Sequence, residues 1–128
     1  MVQTSTMVTA EMNATWKQFL QRKVNSFIKW DLVRFFHDNP HTADTAENIA
    51  QVVGRDIHTI QRELDGLVNV GVLMLRSISG QGIYQLSDND DIRRTIHEFV
   101  AACHDRDFRV KAINYVVNSM GADPSYDL

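Results

Sequence analysis

The stretch that most narrows what this chain can fold into is Asn48–Ser87, NIAQVVGRDIHTIQRELDGLVNVGVLMLRSISGQGIYQLS. Ile57, Ile60, Leu64, Leu67 and Val68 stand at i, i+3, i+7, i+10 and i+11. That is one clean stripe and predicts an amphipathic helix running to about Asn69. Asp56 is placed to cap it by accepting a backbone N–H, and Gly71 to end it in the left-handed conformation. A shorter helix precedes it. Asp44 opens that helix with Glu47 as capping-box partner, Ala46, Ile49, Ala50 and Val53 face inward, and Gly54 stops it. After Gly71, VLMLRSI and GIYQLS are rich in β-formers and flank SGQG, which predicts a hairpin turning at Gly80 and Gly82. A lone hairpin is too small to stand by itself, so it must pack on the helices. The longer helix keeps His58, Thr59, Gln61 and Arg62 on its polar side, near its N-terminus.

Helices are expected on both flanks. The first runs from about Asn13 to about His37, capped by Asn13 or by Thr15 with Gln18 as a capping box. In its second half the apolar residues cover more than one stripe. Ile28, Leu32, Phe35 and Phe36 make one face; Phe27, Trp30 and Val33 make a broader shoulder. A helix apolar on two sides is covered on two sides, and a second subunit is one way to supply the cover. Asn25-Ser26 is a polar dip where this helix could break into two, and Pro40 ends it. The last element spans about Asn89 to Met120. Ile96, Phe99, Cys103, Val110, Ile113, Val117 and Met120 fall near the spacing of a heptad seam with Arg106 as its one charged member. HDRD at His104–Asp107 could instead divide it. The order helix, helix, helix, strand, strand, helix makes a mainly α chain with a small β-hairpin, of α+β class. A length of 128 residues suits one domain over 13–128, with its core at about 29–87, a C-terminal helical region at 89–120 and a flexible tail at 1–12.

Several function classes are disfavoured. The single cysteine, Cys103, rules out an internal disulfide framework and a CxxC zinc site, and fits a reducing compartment. No apolar run approaches the about 20 residues that span a bilayer, and MVQTSTMVTAEMNAT lacks the basic start and apolar stretch of a signal peptide. A cytoplasmic protein with no membrane partner is expected. GxSxG, P-loop and GxGxxG motifs are missing, and a cysteine on a buried seam is inert, so no enzyme is expected. His97 and His104 share a helix face, seven residues apart, but a metal site needs three or four convergent ligands, so neither a metal nor another cofactor is assigned. His37 and His41 flank Pro40 in what reads as a solvated turn.

The residues TAENIAQVVGRDIHTIQRELDGLVNVGVL, with Arg76, Gly80, Tyr84 and Leu86-Ser87, resemble winged helix-turn-helix regulators of the ArsR and MarR type. The resemblance covers about Lys29 to Ser87. It implies that the helix 56–69 is a recognition helix, the hairpin 72–87 a wing, and the terminal helices dimerisation elements. The implied function is a sequence-specific DNA-binding transcriptional regulator, a repressor, acting as a homodimer on double-stranded DNA. His58, Thr59, Gln61 and Arg62 would face base edges. Arg55 and Thr45 would meet phosphates, and Arg76 and Gln81 sit on the wing. The implied dimer surface takes Trp16, Phe19, Leu20 and Phe27 from the first helix, and Ile96, Phe99, Cys103, Val110, Ile113 and Val117 from the last. The resemblance also allows a small-molecule effector between the terminal helices and the winged domain, near Trp16, Phe19, Trp30, Phe35 and Phe36, although ordinary core and dimer contact is the favoured reading of these aromatics. The chain departs from the family in charge. Residues 54–87 carry three basic and three acidic groups, and the net charge is −3, whereas nucleic-acid binders are often basic overall. The competing reading is a winged-helix module that binds protein and not DNA.

Overall fold

The computed structural model describes residues 12–121. The expected tail at 1–12 thus lies outside the described residues except for Met12, which is buried. Helix α1 spans Ala14–Arg22 and begins at Asn13, whose side chain accepts from the Trp16 N–H at 2.9 Å. Helix α2 spans Phe27–Asp38. The first expected helix is therefore two helices. Ser26 divides them because its hydroxyl accepts from the Lys29 N–H at 3.1 Å and starts a new N-terminus.

A two-residue strand, β1, follows at Ala43–Asp44. Helix α3 spans Ala46–Val53 and is capped by Thr45, not by Asp44. Asp44 instead accepts from the Thr45 N–H and the Asn48 side chain. Gly54 ends α3 at φ 73°, a conformation that side-chain-bearing residues rarely adopt. Helix α4 spans Ile57–Asn69, with Asp56 as its cap and Gly71 beyond its end at φ 82°. Strands β2 (Leu73–Ile78) and β3 (Gln81–Leu86) are joined at Ser79 and Gly80, both with positive φ, the pattern of a tight type I′ turn. The turn is thus Ser79-Gly80, and Gly82 lies within β3. The sheet is antiparallel, three-stranded and ordered β1-β3-β2.

Helix α5 spans Asp90–Ala102 and α6 spans Arg106–Gly121. Asp105 starts α6 by accepting from the Phe108 N–H, so the HDRD run does divide the last element. Among the described residues the molecule is six helices and this small sheet, an α+β arrangement, and no helix is long and apolar enough to cross a membrane.

One core runs through the molecule. Leu32 and Phe36 of α2 join Ile49 of α3, Ile60, Leu64 and Leu67 of α4, and Tyr84 and Leu86 of β3. Phe99 of α5 is fully buried, with ring centroids of Phe19, Trp30, Trp16 and Phe108 at 5.1, 5.2, 5.8 and 6.3 Å. The two-sided α2 is therefore covered by α4 on one side and by α5 of the same chain on the other. This corrects part of the expected dimer surface. Phe19, Leu20, Ile96 and Phe99 are buried inside the single chain and have no surface left to offer. Trp16, Phe27 and Cys103 are half-buried against that same core. The continuous seam is also lost, because the turn at Cys103–Asp105 rotates α6. Ala112 and Val116 face inward, while Val110, Ile113 and Val117 stay exposed.

Candidate nucleic-acid interface

The α3–α4 pair holds one helix against the core while leaving the first half of the next one open. Gly54 reverses the chain, and the Gly54 and Arg55 N–H groups both return to the Ala50 carbonyl, closing α3. Asp56 then caps α4 through the Thr59 N–H at 2.9 Å, and that N–H holds the Asp56 carboxyl below its usual range. Ile60, Leu64 and Leu67 anchor α4 underneath. His58, Gln61 and Arg62 point outward and are exposed; Thr59 is half-buried and its hydroxyl also bonds Asp56 at 3.2 Å. Thr59 is thus a capping partner more than a free reader of bases.

Two of the three predicted arginines have an acidic neighbour. Arg55 pairs with Asp31 of α2 at 2.8 Å, with both side chains about half exposed. Arg62 lies 3.5 Å from Glu63, with 72% of its side chain open to solvent. Arg76 stands exposed on β2 and Gln81 at the start of β3. Thr45 uses its hydroxyl oxygen to cap α3, accepting from the Asn48 N–H at 3.2 Å.

Thr45, Gln61 and Gln81 are brought together on a groove of about 390 Å³ between α3, α4 and the hairpin. Two carboxylates, Glu47 and Asp65, line the same groove. The Tyr84 hydroxyl donates to Asp65 at 2.5 Å, and burial first, then this carboxylate, push its pKa up to about 12. A phosphate deep in the groove would face these two like charges, and the exposed Arg62 and Arg76 do not line it.

Sequence reasoning missed three parts of this surface. Asp31 is distant in sequence from Arg55 and nothing local announces the pair. Leu75 and Ile78 of the hairpin are exposed, which β-former content alone does not reveal. Glu63, counted among the three acids of residues 54–87, is buried. Its position three residues after Ile60 and four before Leu67 did carry that signal, since it falls on the apolar stripe.

The histidines arrange differently from their spacing. His97 meets His37 across α2 and α5, with Nδ1 3.0 Å from Nε2, and not His104. Among the described residues no three His, Cys, Asp or Glu side chains gather to hold a metal ion. Burial pushes the Cys103 thiol up to about 11, against the pull of Arg109 and Arg34. Comparison with protein-family models, with curated proteins and with solved structures returned no match, so the case for function rests on the geometry above.

Proposed function

We propose that the chain is a winged helix-turn-helix DNA-binding regulator, cytoplasmic, acting as a homodimeric repressor. The observation that carries this reading is the exposed N-terminal half of α4, set out by the Gly54 turn and flanked by a tightly turned hairpin. A helix held this way can enter the major groove with its first turns at the base edges. Arg62 suits bidentate contact with guanine and Gln61 with adenine, while His58 lies on the same exposed side. Arg55 and the α3 N-terminus at Thr45 suit phosphates. The Asp31–Arg55 pair is half exposed, so its strength is low and a phosphate can replace it. Arg76 and Gln81 carry the hairpin onto the neighbouring backbone. The strand order β1-β3-β2 supports the same assignment.

Occupying an operator as a dimer would block transcription sterically, with two α4 helices about one DNA turn apart. The test is fluorescence anisotropy with the DNA upstream of the gene, against scrambled DNA, at two salt concentrations. Tight binding to the upstream DNA alone, weakening with salt, is expected. Arg62→Ala should cost about 1–3 kcal/mol of specific binding, and an unchanged affinity would remove Arg62 from the reading set. The second reading, a protein-binding module, draws on the acidic groove beside exposed Leu75 and Ile78. No binding to either DNA at low salt would favour it.

A further inference from the structure

A second cleft, of about 420 Å³, opens between α2 and the α5–α6 turn. None of its lining residues belongs to α3, α4 or the hairpin. Trp30 and Val100, both rooted in the core, form its apolar wall. Arg34 of α2 and Arg109 of α6 reach it from different elements, and His104 adds a ring nitrogen from the turn. Cys103 lies in the same lining as both guanidiniums. Arg109 is fixed by donating from Nη1 to the Cys103 carbonyl at 2.8 Å. Among the described residues no carboxylate lies within ion-pair distance of Arg34 or Arg109. Asp38 is the one acid in the lining, and it lies 3.1 Å from His37 Nδ1.

Two permanent cations around one apolar-walled cleft repel each other until an anion bridges them. The size lies in the range of about 300–1,000 Å³ that suits small ligands. Guanidinium forks match the oxygens of phosphate or carboxylate in pairs. Oxygen count separates those two: a phosphate monoester offers three oxygens, enough for a fork from each of two arginines, whereas the two oxygens of a carboxylate engage one fork. We propose that this cleft binds a small phosphate monoester, its phosphate held between Arg34 and Arg109 and its organic part lying on Trp30 and Val100. His104 supplies a further donor to the phosphate, and Asp38 an acceptor for a hydroxyl of the ligand.

The site stands apart from the DNA surface, so its failure and that of the regulator reading are separately visible. Isothermal titration of the full chain, with tryptophan fluorescence as a second readout, tests it. The probes are phenyl phosphate, inorganic phosphate and benzoate. Phenyl phosphate should bind saturably, inorganic phosphate more weakly for want of an apolar part, and benzoate weakest. Arg34→Gln should weaken phenyl phosphate by at least about tenfold, with Arg34→Lys in between because it keeps the charge and loses the fork. Arg34 is solvent-exposed, so this substitution leaves the core intact; a thermal melt checks that. Phenyl phosphate binding that is undiminished in R34Q, or no saturable binding to the wild-type chain, would overturn the site. Benzoate binding as tightly as phenyl phosphate would overturn the phosphate assignment.

Discussion

Glu63 shows what single residues do here. It is buried, and one of its oxygens takes both the Ser26 hydroxyl at 2.8 Å and the Lys29 ammonium at 3.1 Å. Lys29 passes so close over α4 that a Cβ on Gly66 would stand 2.8 Å from its Cε. Removing one member of a buried pair strands the other, so Glu63→Ala is expected to lower stability by roughly 3 kcal/mol in urea unfolding. Its stripe position was legible in the sequence; its partners were not, because Ser26 and Lys29 come from another helix. Tyr84 and Cys103 set the alkaline limit. Their folded pKa values are raised from 10.0 to about 12 and from 9.0 to about 11, chiefly by burial. A raised folded pKa means that the neutral form is the one favoured by folding. The stability it contributes is whole below the unfolded value and is lost as pH climbs through the folded one. The thermal midpoint should therefore begin to fall above pH 9.0 and keep falling to about pH 12. Tyr84→Phe should flatten the upper part of that decline; an identical profile would remove Tyr84 as its cause.

Among the elements, the outcome followed how much of the signal was local. The α3–turn–α4 segment was legible because stripe, cap and glycine stop agree within a few residues, at Ile57–Leu67, Asp56, Gly54 and Gly71. Strand β1 was not, since two residues carry no periodicity and the strand exists only through its pairing with Gln85 and Tyr84. The terminal helices were half legible. The breaks at Ser26 and Asp105 stood in the sequence as polar dips, but an apolar pattern running across each dip also fits one long helix. The hairpin offers the clearest test at this scale. Ser79 is the only non-glycine at positive φ among the described residues, at 53°. Serine is strained in that conformation, and asparagine before glycine is the favoured pair for such a turn. Ser79→Asn should gain about 0.5 kcal/mol in denaturant unfolding. A loss of stability would show that the turn is not of this type in solution.

For the whole molecule, the question is how two copies would meet, since the core already holds much of what the heptad spacing assigned to an interface. Phe19, Leu20, Ile96 and Phe99 close α1, α2, α5 and α6 around one aromatic cluster, which is intramolecular packing. The surface still open is the outer side of α6, where Val110, Ile113 and Val117 are 45%, 37% and 49% exposed at i, i+3 and i+7. The inward side of α6 carries Ala112 and Val116, both buried. A 16-residue helix with apolar residues on two sides has one more side than the described residues cover. In the dimeric regulator proposed above, that side packs against its own copy, an isologous contact in which Ile113 lies near the twofold axis. Ile113→Glu places a carboxylate at the centre of that contact and none in the core. The expected outcome is a monomer by light scattering with an unchanged unfolding midpoint under dilute conditions. The same variant should lose affinity for a two-half-site operator. A dimeric mass for Ile113→Glu would sink the α6 contact, whereas a wild-type chain already monomeric at high concentration would sink the dimer itself.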